Sequence, residues 1–291
     1  MYFFLQIALS GIATGAIYGL IAVGYSLTFM TTKALNFALG MWVMFGGMLT
    51  YSLNVQYGIH PLIVLPIVIV TLFAFGLVAE RFSVYPFLRA GSDVWVMSTL
   101  AVGFLMIDLA EIIWGRNPTP VPPFLGKNPV YIGSVSILPQ QLLIIAAACV
   151  VFLGLDFFYR RTLLGKAFRA VAHSSDVSSL MGINTRRVEA ISYAVAAALA
   201  GIAGFLVVPL TLAEPQLGTV LGLKAFAIAI IAGLAAPRGI LICGLFYGAF
   251  EGLVSGYLYT GIRDILGFTI MIVALYLRPE GIFGKPQEER A

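Results

Sequence analysis

Residues 3–30 read FFLQIALSGIATGAIYGLIAVGYSLTFM, an apolar run with no lysine or arginine. An α-helix needs about 20 apolar residues to cross the hydrocarbon core of a bilayer, so this run is long enough to span with residues to spare. Its inner end is expected to bend below the bilayer surface. A cleaved secretory signal carries a basic segment ahead of its apolar stretch. None is present here, and the expectation is a retained first span.

The same pattern recurs along the chain. Further apolar runs cover roughly Leu35–Leu53, Pro61–Glu80, Val94–Gly115, Leu138–Tyr159, Val188–Leu210, Val220–Ala236, Ile240–Leu258 and Ile265–Leu277. Val220–Ala236 and Ile265–Leu277 are short and are expected to be tilted, broken or partly re-entrant. Hydrophobic residues make up 60% of the 291 and charged residues 10%, against about 25% charged in a typical soluble domain. So much apolar surface requires lipid as its solvent. No extended soluble domain follows. Cys149 and Cys243 fall in apolar runs and suggest neither a disulfide framework nor a metal site. The net charge of +4 is not a nucleic-acid signature, because the basic residues sit at the ends of apolar runs.

Those basic residues set an orientation. Taking alternate loops, thirteen of the 17 lysines and arginines fall on one face. They are Lys33, Arg81, Arg89, Arg160, Arg161, Lys166, Arg169, Arg186, Arg187, Arg238, Arg278, Lys285 and Arg290. Arg116, Lys127 and Arg263 fall on the other, and Lys224 lies inside a run about one turn from its outer end. The rich face is expected to be cytoplasmic, with the N-terminus outside, the C-terminus inside and nine crossings, or eight if one short run is re-entrant. Asn117–Val135, with Pro118, Pro120, Pro122, Pro123 and Pro129, reads as a stiff, irregular outer loop.

Three constellations could carry function. Gly244, Gly248, Gly252 and Gly256 recur every fourth residue, as do Gly11, Gly15 and Gly19 in the first run. Such a strip lets another backbone approach closely, either within the chain or at a moving or subunit interface. Glu251 lies inside Ile240–Leu258, where an unpaired carboxylate costs several kcal/mol. Asp108 and Glu111, three residues apart, share a helical face, and Lys224 is a partner for Glu251 or for them. These charges read either as buried structural pairs or as the polar lining of a solute path.

The third constellation is the polar segment 160–187. Thr162–Ala172 has the pattern of a short basic amphipathic helix. Ser174, Ser175 and Asp176 are N-cap residue types for a second one, and Met181–Gly182 is a plausible stop with glycine past the end. Two capped helices exceed what an idle loop requires, so the segment reads as a docking element or as a merely positive-inside loop. Chemistry-bearing motifs do not appear. There is no G-x-x-x-x-G-K-[ST] phosphate loop, no H-E-x-x-H and no nucleophile elbow, and His60 and His173 are isolated.

The chain resembles the LIV-type permeases of bacterial ABC importers, which take up branched-chain amino acids, and related permeases for urea, amides and other small solutes. The resemblance rests on residues 34–40 (ALNFALG), 162–172 (TLLGKAFRAVA), 180–184 (LMGIN), 200–204 (AGIAG) and 277–284 (LRPEGIFG), in that order. It implies an all-α, polytopic helical permease forming one domain over residues 1–291, with 160–187 as a cytoplasmic coupling segment and 116–137 as an outer loop. It implies a second homologous permease subunit, two ATP-binding subunits that use ATP and Mg, and an extracytoplasmic solute-binding protein. The chain itself would bind no cofactor and catalyse no covalent chemistry. Its place would be the bacterial inner membrane.

On that reading Asn36, Asp108, Glu111, Lys224 and Glu251 are candidates for the translocation path. Arg169, Asp176, Val177, Leu180, Met181, Arg186 and Arg187 are candidates for ATPase coupling, with the apolar members seated in a cleft and the arginines at its rim. The family commonly shows N-F-A-H-G-E or N-F-A-H-G-D where this chain has Asn36-Phe37-Ala38-Leu39-Gly40-Met41. Loss of the histidine and the acid implies a more apolar path, with room for an aromatic or other amphiphilic carboxylate. The rival readings are an ion-coupled secondary transporter using Asp108, Glu111 or Glu251, and an intramembrane enzyme.

Overall fold

A computed structural model of the chain describes residues 2–90, 92–132, 135–258, 260–278 and 280–284. Lys285 and Arg290 of the basic count lie outside the described residues. Helix α1 covers Tyr2–Thr32. Lys33 then turns the chain with φ +56°, a left-handed conformation uncommon outside glycine. Its Nζ donates to the Ala172 carbonyl at 3.3 Å.

The next run does not start as a helix. Ala34–Asn36 are irregular, α2 covers Leu39–Tyr51 and a π-helical turn carries it through Ser52–Gln56. Asn36 explains the delay. Its Oδ1 accepts from the Ala38 N–H at 3.0 Å, an Asx-type turn that competes with helix.

Helix α3 (Pro61–Ala79) begins with proline at its first position and His60 Nδ1 accepting from Leu62 N–H. Proline is suited to that place because no helical partner exists there for an N–H. A π-helical turn, Glu80–Val84, leads into α4 (Tyr85–Arg89). Then come α5 (Trp95–Trp114), strands β1 (Val130–Ile132) and β2 (Val135–Ile137), α6 (Pro139–Arg161), α7 (Leu163–His173) and α8 (Ser175–Leu180). The chain continues through α9 (Thr185–Val207), α10 (Leu217–Ala232), α11 (Pro237–Tyr257) and α12 (Arg263–Leu277). α5 and α10 both stop at glycines with positive φ, Gly115 and Gly233, a helix-ending conformation that side chains disfavour.

The proline-rich loop between α5 and α6 is more ordered than an irregular loop. β1 and β2 pair antiparallel, Val130 opposite Ile137 and Tyr131 opposite Ser136. Thr119 bridges to Ala213, tying the proline-rich stretch to the turn before α10.

By length and apolarity six helices can cross a membrane among the described residues: α1, α3 with its continuation, α5, α6, α9 and α11. α10 is apolar but shorter. α1 and α9 form the centre. α1 packs on α11, α9, α10 and α6, while α9 carries α2 and α3 on its other sides. The alanine-rich face of α9, with Ala196, Ala197, Ala200 and Ala203 fully buried, permits this crowding. α3, α5 and α6 lie outside and turn large apolar side chains outward, among them Val70, Phe104, Ile112 and Leu153. Such faces suit lipid.

Candidate functional site

The glycine strips meet each other. On α11, Gly248 faces Gly15 and Gly11 of α1. A Cβ added at Gly244 would lie 2.9 Å from Gly19 Cα, and one at Gly252 would lie 3.0 Å from the Ile7 carbonyl oxygen. The strip therefore mates α11 with α1 of the same chain, backbone on backbone, as small-residue interfaces in membranes do.

Close helix packing brings charges together beside this crossing. Lys224 of α10 ion-pairs with Glu251 of α11, and both side chains are almost wholly buried. Lys224 Nζ also lies 2.8 Å from Asp264 Oδ1 at the start of α12. Arg263 Nε lies 3.1 Å from Glu251 Oε1 and 3.3 Å from Asp264 Oδ1. Two cations and two carboxylates thus form one balanced cluster, which is how buried charge is tolerated. Tyr18 flanks it, with the Lys224 ammonium 5.7 Å from its ring centre. Since α10 starts at Leu217, Lys224 lies two turns inside the helix rather than one.

A cavity of about 300 Å³ opens alongside, with Ser10 and Thr14 of α1, Glu251 and Ser255 of α11, and Arg263 in its walls. The Ser255 hydroxyl is buried without a hydrogen-bond partner. The cavity thus presents a carboxylate, a guanidinium and small hydroxyls against a glycine floor, a polar lining in an apolar setting.

The other path candidates lie elsewhere. Asp108 is exposed on the outer face of α5. Glu111 accepts from Arg116 Nε at 2.7 Å, so neither acid meets Lys224. Asn36 follows the far end of α1, about 21 Å along the helix from Tyr18 at 1.5 Å per residue. Its Oδ1 caps the turn into α2, and its Nδ2 is buried without a partner.

The polar segment folds as two capped helices. Thr162 Oγ1 accepts from Gly165 N–H at 2.9 Å, and Ser174 Oγ accepts from Val177 N–H at 3.3 Å. Gly182 ends α8 with φ +83°. α7 is fixed to the bundle by Phe168, whose ring stands edge-on to Phe158 and Tyr159 at 5.8 and 6.2 Å. On the outward side Val177, Leu180 and Met181 are 53%, 87% and 79% exposed, so an apolar surface faces away from the chain. Asp176 is exposed in the first turn of α8. The arginines do not form one rim. Arg186 stacks on Tyr85 at 4.1 Å, whereas Arg169 turns toward Arg160 and Arg238.

Residues 7–275 match a protein-family model described as the permease component of a branched-chain amino acid transport system. The chain belongs to this permease family. The permease is 30% identical to the high-affinity branched-chain amino acid transport system permease protein LivH of Escherichia coli strain K12, covering 99% of this chain and 98% of that one. It is 28% identical to BraD of Pseudomonas aeruginosa, named likewise, over 100% and 99% of the two chains. Among solved structures, PsaBC from Streptococcus pneumoniae in complex with Fab aligns with a TM-score of 0.51 at 12% identity, covering 96% of this chain and 93% of that one. That likeness concerns the fold. The permease is a multi-pass membrane transport component and not an enzyme.

Some site residues of the permease escape sequence reading. Asp264 and Arg263 sit just ahead of an apolar run, where charged residues are ordinarily solvated. Charge balance gave no signal, because Lys224 and Glu251 already neutralise each other, as do Arg263 and Asp264. Leu163 and Leu164 are further exposed leucines, 83% and 49% exposed at the start of α7. Two adjacent leucines opening a basic helix were the sign.

Proposed function

We propose that the chain is a membrane-spanning subunit of an ATP-driven importer in the bacterial inner membrane, passing branched-chain amino acids or other amphiphilic carboxylated solutes. It would pair with a second permease, two ATP-binding subunits and an extracytoplasmic solute-binding protein. ATP and Mg would be held by the ATP-binding subunits.

One observation carries this reading: the capped pair α7–α8, packed on the bundle through Phe168, holds Val177, Leu180 and Met181 outward. An apolar surface at the end of a helical bundle is what a cytoplasmic partner needs in order to grip the membrane subunit. The family resemblance points the same way. Crossings through α1, α2, α3, α5, α6, α9, α10, α11 and α12 would number nine, with the N-terminus outside and the C-terminus inside. At 15 residues, α12 spans about 22 Å of a hydrocarbon core about 30 Å thick, which would make it tilted; a re-entrant α12 would give eight crossings and put both termini outside.

The ion-coupled alternative is less well supported. Glu251 is already paired with Lys224 and Arg263, and Glu111 with Arg116, while Asp108 faces outward. Purification of the chain under its native expression, followed by ATPase assay in proteoliposomes, tests the proposal. An ATP-binding subunit that co-purifies, with hydrolysis stimulated by a solute-loaded binding protein, is expected. Solute uptake driven by an ion gradient without ATP would overturn it.

A further inference from the structure

α6 and α11 both pack on α1 and leave a groove between them. Val23 of α1 forms its floor, Cys149, Phe152 and Leu153 one wall, and Leu241 and Ile242 the other, enclosing about 420 Å³. From Cys149 to Asp156 the groove runs about 10 Å along α6 at 1.5 Å per residue, roughly a third of the hydrocarbon thickness. Leu153 is 72% exposed on its outer edge, so the groove opens toward the lipid side.

The groove ends in charge. Arg238 of α11 reaches across to α6, its Nη2 2.6 Å and its Nε 3.1 Å from Asp156 Oδ1. Arg160 Nε lies 3.0 Å from Asp156 Oδ2. A second, polar cavity of about 440 Å³ opens there, bounded by Arg160, Arg169, Arg238 and Tyr159. The two cavities share Asp156, Tyr159, Pro237 and Arg238 in their walls and so adjoin each other. Arg160, Arg169 and Arg238 line this end together with the carboxylate of Asp156, so it has an excess of two positive charges. Each guanidinium has five N–H donors, and Asp156 leaves most of them free.

An apolar groove at bilayer depth, topped by surplus arginine at the membrane surface, complements a molecule with an anionic head and a hydrocarbon tail. A soluble anion has no use for the apolar half, and an acidic peptide would not descend beside lipid. We infer that this groove binds an anionic phospholipid, its acyl chain between α6 and α11 and its phosphate at Arg160 and Arg238. Basic pockets between spanning helices at the cytoplasmic surface recognise lipid head groups in this way. The leaflet rests on the proposed orientation; the lipid class does not.

Native mass spectrometry of the full-length chain in mild detergent, offered equimolar phosphatidylglycerol and phosphatidylethanolamine, tests the inference. Preferential retention of phosphatidylglycerol is expected. Arg160→Gln combined with Arg238→Gln should weaken that preference by about 5-fold per arginine, since a basic residue near an anionic lipid surface contributes about 1 kcal/mol. Cys149→Trp fills the apolar half without touching the charges and should lower retention of both lipids. Equal retention of the two lipids by the unaltered chain, or an unchanged preference in the double variant, would overturn the inference. So would complete displacement of phosphatidylglycerol by equimolar inorganic phosphate, which marks a simple anion site. Loss of the ATP-binding partner by the double variant with lipid preference intact would likewise overturn it, marking a protein contact instead.

Discussion

Lys224 and Glu251 form an ion pair between α10 and α11 with side chains only 2% and 6% exposed. Neither is alone with the other. Asp264 is a second partner of the ammonium, and Arg263 shares Glu251 Oε1 with it, so each charge keeps a partner if one member is removed.

That redundancy shapes the first prediction. Removing one partner of a buried pair ordinarily destabilises by 3–5 kcal/mol. Glu251→Gln should fall at the low end, about 3 kcal/mol, because Asp264 still neutralises Lys224. Lys224→Met added to it should restore part of the loss. Thermal unfolding of the purified chain measures both. If the single variant melts like the unaltered chain, the cluster contributes nothing to stability.

The α1–α11 crossing gives the second. Gly248 lies against the backbone of Gly15 and Gly11, and no side chain can swing away to admit new volume. Gly248→Leu should cost ~3 kcal/mol or more, at or beyond the upper end for overpacking, and appear as loss of monodisperse protein on gel filtration. Gly154, whose added Cβ meets nothing within 4 Å, is the control; Gly154→Leu should assemble normally. Equal yields of the two variants would contradict the tight crossing.

The third concerns orientation. In a background with Cys149 and Cys243 replaced by serine, Lys127→Cys should react with a membrane-impermeant maleimide from outside the cell, and Ser175→Cys should not. Labelling of Ser175→Cys alone would invert the proposed topology.

The fourth concerns coupling. Leu180 is 87% exposed, so Leu180→Asp should leave the chain folded. Burying a leucine side chain is worth about 1.5–3 kcal/mol, so its loss should weaken ATPase docking by ~10- to 100-fold. Arg186→Ala should do less, because its guanidinium is spent on Tyr85 within the chain and exposed charge is screened by salt. Solute-stimulated ATP hydrolysis, with recovery of the ATP-binding subunit, reads the difference. Arg186→Ala proving the more severe would place the coupling surface elsewhere.

The long helices were legible because the membrane demands runs of about 20 apolar residues, a requirement local to each segment. The α7–α8 pair was legible for a similar reason, since Thr162, Ser174 and Gly182 act on backbone groups three or four residues away. What stayed hidden depends on tertiary contact. Nothing near Asp108 indicates that it faces outward while Glu251, also mid-run, faces a lysine from another helix. Asn36 is an intermediate case. Its residue type favours a turn, yet the apolar residues around it hid the break before α2. The β1–β2 hairpin was masked by the prolines before it, which signalled only irregularity.

Lys33 closes α1 at φ +56°, where a side-chain-bearing residue sits at a cost of roughly 1–2 kcal/mol. Glycine would relieve the strain but has no amine for Ala172 on α7. The chain keeps the strained lysine, so local backbone comfort and attachment of α7 oppose each other at one residue. The turn that ends α1 is thereby also a point of attachment for α7, on the same helix that forms the glycine seam with α11. Lys33→Gly would relax the backbone and remove this tie at once, leaving α7 held by the packing of Phe168 on Phe158 and Tyr159.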